Sequence, residues 1–136
     1  TLERIARFVE SQYDDTLASI LLLDDAGRLR LGAAPSLPAA YNAAIDGLAV
    51  GDGVGSCGTA AFRGETVEVN DIASHPYWAA YRNLALNAGL AACWSVPVLD
   101  RERRVLGTFA VHSRHSRPMP SGLRPMLETL AQTIAI

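Results

Sequence analysis

Two cysteines, three histidines and a glycine-rich loop are the residues of this chain whose types could do chemistry. Cys57 lies in Gly53-Val54-Gly55-Ser56-Cys57-Gly58, at the start of an expected helix. A helix N-terminus lowers a thiol pKa, because its unpaired N–H groups favour the thiolate. Cys57 is therefore either a reactive thiol or a small buried residue of the kind cysteine often is. Cys93 falls in an expected strand, where packing explains it. The two are too far apart in sequence for a CxxC redox or zinc motif. A reduced, cytoplasmic setting is the simpler expectation. His75, His112 and His115 lack the spacing of metal ligands, so no metal site is expected. His75 fits the first turn of a helix and His115 a solvated loop. His112 ends an expected strand, where it either faces solvent or rims a pocket.

Gly53, Gly55 and Gly58 satisfy G-x-G-x-x-G, with Asp71 downstream. That dinucleotide fingerprint needs a buried parallel strand before it, within a βαβ unit. Only Leu48-Ala49-Val50 precedes it, and the later strands form a hairpin. The spacing reads instead as a tight turn whose glycines let a helix pack closely. The backbone N–H groups of that helix start remain a candidate hold for an anionic group.

The elements that must position these residues follow from periodicity. Leu2, Ile5, Ala6 and Val9 recur at helical spacing with no cap before them, as the tail of a longer helix would. Strands are expected over 17–23 and 28–31, around the turn Asp24-Asp25-Ala26-Gly27. A short helix fits 39–45, a loop 51–58, a helix 59–62 and a strand 66–69. Ser74-His75-Pro76 opens a helix to Ala88, with Trp78, Tyr81, Leu84 and Ala85 on one face and Gly89 closing it. Strands over 91–99 and 105–112 flank the polar turn 100–104. Arg101, Arg103, Arg104, Arg114 and Arg117 would cluster by this hairpin geometry, and a solvated turn explains them. Leu123, Leu127, Leu130 and Ile134 mark a last helix.

Side-chain alternation then groups the strand residues. Thr108, Ala110 and His112 share one face; Cys93, Ser95 and Pro97 share a face of the neighbouring strand. Small residues there leave room for a ligand or for a closely packed helix. Trp78 and Tyr81 on the helix, with Trp94, are either core or cavity lining.

The bulk numbers exclude several classes. The chain has 136 residues, 49% apolar and 19% charged, which makes one ordinary folded domain. A net charge of -2 gives no electrostatic reason to expect nucleic acid. All 12 basic residues are Arg, so Schiff-base chemistry and a Walker lysine are absent. No apolar run approaches the ~20 residues of a membrane span.

The strings GDGVGSCGTAAFRGETVEVNDI (51–72) and LAACWSVPVLDRERRVLGTFAVH (90–112) resemble the middle of GAF domains and the hairpin in which they place a Pro-containing strand, a polar turn and a central strand, in that family's order and spacing. The resemblance covers essentially the whole chain and is nearest to GAF domains upstream of histidine kinases or cyclic-di-nucleotide enzymes in bacteria. It implies an α+β, PAS-related fold: a central antiparallel sheet of about six strands, terminal helices on one face, and pocket-covering helices and loops on the other. On this reading residues 1–136 are a single sensory domain of a longer chain. It binds an unidentified small molecule and relays the signal through its terminal helices to a covalently linked output domain. Part of each terminal apolar stripe would cover the sheet, and the rest would meet a second copy in a homodimer. No particular cofactor is implied.

The candidate pocket residues are Cys57, Trp78, Tyr81, Cys93, Trp94, Ser95, Thr108, Ala110 and His112; none is assigned a catalytic role. The same stretch, Val54 to Ala61, also resembles reductases of free methionine sulfoxide, and Cys57 matches one of their cysteines. Their catalytic cysteine lies before the penultimate strand, and residues 75–87 hold no Cys here. Their acidic substrate-binding residues are replaced by His112-Ser113. A catalyst of that kind is therefore not expected. A ligand-free dimerisation module is the alternative from another class.

Overall fold

Two hairpins built on one local device organise the sheet. Strands β1 (Thr16–Leu23) and β2 (Arg28–Ala33) are joined by a turn in which Asp24 Oδ1 accepts the Ala26 and Arg28 N–H groups, each at 2.9 Å. Strands β5 (Ala92–Leu99) and β6 (Val105–Ser113) repeat it: Asp100 Oδ1 accepts from Glu102 and Arg104, at 2.9 and 2.8 Å. An aspartate that bonds its own downstream backbone closes a turn without help from the rest of the fold. The Arg28 N–H, with the Arg30 side chain, holds the Asp24 carboxyl below the usual carboxylate range; the Arg104 N–H does so for Asp100.

The computed structural model describes all of residues 1–136. The remaining elements are α1 (Leu2–Gln12), α2 (Ala39–Ile45), β3 (Leu48–Ala49), α3 (Gly55–Arg63), β4 (Val67–Val69), a 3₁₀ turn (Pro76–Trp78), α4 (Arg82–Asn87) and α5 (Leu123–Ile134). The six strands form one antiparallel sheet in the order β3-β2-β1-β6-β5-β4. This is the α+β architecture expected of the sequence. Terminal helices α1 and α5 lie on one face and the intervening helices on the other.

Each face has its own core. Under α1 and α5, residues Ala18, Ile20, Trp94, Val96, Phe109 and Val111 pack with Ala6, Val9, Leu123 and Leu127. On the other face Leu17, Leu21, Cys93 and Ala110 pack beneath Tyr41, Ile45, Cys57, Ala60 and Trp78. Alternation along the strand produces this split, since successive side chains point to opposite faces. No helix is long and apolar enough to cross a membrane.

Several local expectations need correction. Thr1 Oγ1 accepts the Arg4 N–H at 3.3 Å, so α1 does carry an N-cap. Gly55 to Gly58 are the first turn of α3 rather than loop. The helix expected from residue 75 to 88 is two pieces, a 3₁₀ turn and α4. Arg82 opens the second piece and folds back, donating to the Ile72 and His75 carbonyls across the preceding loop. The arginines do not cluster: Arg101, Arg103 and Arg104 sit at one end of the β5–β6 hairpin, Arg114 and Arg117 at the other.

Gly107 sits where three strands meet, opposite Leu22 of β1 and Val98 of β5. A Cβ there would collide with the Leu21 carbonyl oxygen, which belongs to the backbone and cannot swing away. Gly107→Ala should therefore destabilise the fold by about 3 kcal/mol, as overpacking of a closed interior does. It should read as a lower urea midpoint at unchanged slope. Wild-type stability in this variant would contradict the close β1–β6 approach.

Candidate functional site

Four of the buried polar residues of the sheet lie on one face, while Thr16 and Ser113 lie at the end of the other. Cross-strand register aligns Val69, Cys93, His112 and Leu17 in one row. The next row is Val67, Ser95, Ala110 and Ser19, and beyond it Pro97 and Thr108 meet Leu21. Ser19, Ser95, Thr108 and His112 are all buried. Two covers divide this floor between them.

Helix α3 lies directly over the β5–β6 half. Gly55 has φ +58°, a conformation that favours glycine, and its Cα side lies against the Trp78 ring. Ser56 Oγ then donates to the Cys93 carbonyl at 3.0 Å and accepts from Trp78 Nε1 at 3.1 Å. Ser95 Oγ donates to Cys57 Sγ at 3.4 Å. The strand preceding the glycines, β3, is an antiparallel edge strand of two residues. The βαβ context of a dinucleotide fingerprint is therefore not present, and the indole of Trp78 covers the helix start.

Over the β1–β2 half a cavity of about 20 Å³ remains. Ser19 and His112 line its floor; Tyr41, Asn42 and Ile45 of α2, Trp78, Tyr81 and Cys57 enclose it. Of the residues expected to form a pocket, Cys57, Trp78, Tyr81 and His112 come together here. Cys93, Ser95, Thr108 and Ala110 are on the same face but lie beneath α3: their small side chains admit a helix rather than open space. Trp94 requires correction. It points to the opposite face, into the core under α5, where its Nε1 donates to Asn70 Oδ1 at 3.0 Å and Arg117 stacks on its ring.

The α2 contribution was missed by the sequence reading. Tyr41 and Ile45 stand one turn apart on an apolar helix face, which is the signal of a cover. Ser19 is the lone hydroxyl in the apolar run Leu17 to Leu23, and its place opposite Ala110 comes only from register. A second, larger concavity of about 470 Å³ lies at the β4 edge beside α5; it is mostly polar and carries both charge signs, including Arg103, Arg124 and Glu128.

His112 does not face solvent; it is 2% exposed. Its Nδ1 lies 3.2 Å from the Leu17 carbonyl oxygen, which can only accept, so Nδ1 carries the proton and Nε2 is the acceptor. The ring meets Tyr41 edge to face, centroids 6.0 Å apart. Burial pulls the imidazole pKa down to about 4, against the opposing pull of the Leu17 carbonyl. Burial also pushes the Tyr41 phenol above its ordinary range. Both groups are neutral at physiological pH, so the cavity suits a neutral guest. No carboxylate lines it.

A profile of the GAF domain family matches residues 1–136. The methyl sulfide methyltransferase-associated sensor of Methanosarcina acetivorans is 36% identical over 114 residues, which is 83% of this chain and 11% of that protein. This chain therefore corresponds to a small part of that relative. A domain attributed to a two-component sensor histidine kinase from Sinorhizobium meliloti 1021 superposes with a TM-score of 0.79 at 24% identity, over 98% of this chain and 85% of the other. The type II free methionine-R-sulfoxide reductase of Thermoplasma acidophilum superposes with a TM-score of 0.76 at 18% identity, over 98% and 86%. At these identities the structural matches establish the fold alone.

The buried histidine sets a pH dependence. The unfolded state takes up a proton near pH 6.5, whereas the folded state resists until about pH 4. Above pH 6.5 both states are neutral and nothing changes. Between pH 6.5 and 4 stability falls, by about 3 kcal/mol in all. Urea midpoints from pH 7.5 to 5, before the carboxylates titrate, should fall in wild type and stay flat in His112→Asn. Equal slopes in the two proteins would place His112 in contact with solvent.

Proposed function

The chain belongs to the GAF domain family, and on that premise we propose that it is a non-catalytic sensory input domain, part of a longer cytoplasmic chain. A small neutral molecule binds between the sheet and the cover formed by α2 and the Trp78–Tyr81 segment. The response passes to α1 and α5, and from them to a covalently linked output domain such as a kinase or a cyclic-di-nucleotide enzyme. Support for the sensory part comes from a relative named as a sensor and from likeness to a sensor kinase domain.

The observation that carries the reading is the division of single strands between two cores. On β5, Cys93 and Ser95 face the cavity side while Trp94 and Val96 pack under α5. On β1, Ser19 lines the cavity while Ala18 and Ile20 pack against the terminal helices. A strand shifted by a guest on one face moves side chains on the other. A cavity of about 20 Å³ holds little more than one water. A larger ligand must displace α2, of only 7 residues and with no side-chain cap, or the Trp78–Tyr81 segment. Short, weakly tied covers are where local opening is cheapest.

The small cavity also favours a second reading, a module that binds nothing and only dimerises. Phe8 on α1 is 49% exposed, and Leu2, Ile5, Met126, Leu130 and Ile134 are only partly covered by their own domain. This half-covered seam suits a second copy in a two-fold dimer. Val9, Leu123 and Leu127 are wholly buried and take no part in it. Sulfoxide reduction is disfavoured: residues 75–87 carry no Cys, and the cavity offers no carboxylate for a substrate amine.

A thermal-shift screen against cyclic nucleotides, amino acids, tetrapyrroles and aromatic acids separates the readings. A ligand at 100 times its Kd adds about 2.7 kcal/mol, which raises Tm on the order of 10 °C in a domain of this size. We expect one class to do so, and Trp78 fluorescence to change with it. If no class shifts Tm while the protein sediments as a dimer that Phe8→Glu dissociates, the ligand reading fails and the dimerisation module stands.

A further inference from the structure

Three buried polar groups converge on one sulfur. Cys57 Sγ accepts from Ser95 Oγ at 3.4 Å. The Cys93 thiol and the Thr108 hydroxyl stand beside it. Thr108 is fully buried, and its Oγ1 makes no hydrogen bond in the resting protein. A dry, unpaired hydroxyl is costly and uncommon. A neutral thiol offers it only a weak acceptor, whereas a thiolate would engage all three donors at once. The neighbouring Cys93 thiol, with the Ser95 hydroxyl that donates to it, holds the Cys57 thiol below its ordinary range against the effect of burial. Burial pushes the Cys93 thiol well above it. One sulfur is arranged to lose its proton and the other to keep it. Cys57 lines the cavity, while Cys93 lies beneath α3 and does not.

We propose that Cys57 and Cys93 are a redox-active dithiol that is oxidised by hydrogen peroxide, or an equally small neutral hydroperoxide, entering the cavity, and that closes to an α3–β5 disulfide. The size of the guest follows from the cavity: about 20 Å³ admits a molecule little larger than water. The Cys57 sulfur attacks one peroxide oxygen and the O–O bond breaks. Cys57 becomes a sulfenic acid, and the departing oxygen leaves as water with the thiol proton. The Cys93 sulfur then attacks the Cys57 sulfur, the S–O bond breaks, and the hydroxyl leaves with the Cys93 proton as a second water. Two thiols and one peroxide give one disulfide and two waters. Exchange with a small dithiol restores the reduced pair.

Closure draws the first turn of α3 toward β5. Ser56, next to Cys57, bridges the Cys93 carbonyl and Trp78 Nε1, so the cavity cover is tied to the same movement. The reaction uses the cavity of the sensory reading but does not depend on an output domain, and it is stoichiometric rather than a turnover.

The test is to treat the reduced, folded protein with hydrogen peroxide and map peptides without reduction. A Cys57–Cys93 linked peptide, lighter by two hydrogens and released by dithiothreitol, is expected. Cys93→Ala should stop at a Cys57 sulfenic acid trapped by dimedone. Thr108→Val should slow disulfide formation about tenfold, the worth of one charge-assisted hydrogen bond. A bulky alkyl hydroperoxide should react more slowly than hydrogen peroxide. Two free thiols in wild type after treatment that oxidises a small-thiol control would overturn the proposal. So would disulfides found only between chains, or trapping at Cys93 instead of Cys57. Linked peptide with a blank thermal-shift screen would uphold the dithiol while the wider ligand reading fails.

Discussion

Away from their hairpin ends, strands β1, β6 and β5 have no side that faces water. Antiparallel sheets usually keep one solvated face, and their polar residues go there. Here helices cover both faces, so each polar side chain on the central strands must be satisfied inside the protein or be costly. His112 answers through the Leu17 carbonyl, Ser95 through Cys57, and Ser113 through His115 and Arg117. Thr108 Oγ1 is the one fully buried side-chain polar atom without a partner. The features of the cavity side follow from this constraint. They include the neutral histidine, the chain from Trp78 through Ser56 to Cys93, and the hydroxyls collected around one sulfur.

The two layers are consequently unlike in character. The layer under α1 and α5 is aliphatic and aromatic, closed by side chains such as Phe109, Trp94 and Leu127. Its edge is tied by Arg117, which stacks on Trp94 and donates to the Ser113 hydroxyl and the Asp14 carbonyl. The cavity layer is looser, with short helices and a void. A packed layer that transmits displacement, set against a layer able to open, is the arrangement a sensing domain requires. The strands contribute side chains to both layers.

Much of this was legible in the residues. Alternation in Ala92 to Leu99 and Val105 to Ser113 marked the central hairpin, and the helical stripes of α1 and α5 marked their buried faces. The face shared by Cys93, Ser95, Thr108, Ala110 and His112 was correctly grouped, because period two is geometry. What filled that face was not legible. Small residues accept a helix or a ligand alike, and α3 took the β5–β6 half while the void fell over β1 and β2. Trp94 was misplaced because its aromatic character was weighed above its alternation with Cys93. Whether His112 faced solvent or a pocket was not legible, because burial at the end of a strand depends on what covers it, here Tyr41. The break between Trp78 and Arg82 rests on a side chain folding back to carbonyls of the loop before it, which no local pattern announces.

The central claim is that the cavity and the terminal helices communicate through the shared strands. It can be tested without knowing a ligand. Ser19 lines the cavity between two residues, Ala18 and Ile20, that pack on the other face. Ser19→Val fills the void from a strand position that favours a β-branched side chain. Amide hydrogen exchange of this variant should change around Trp78 and α2 and also along α1 and α5. Changes confined to the cavity face, with the terminal helices exchanging as in wild type, would contradict the account.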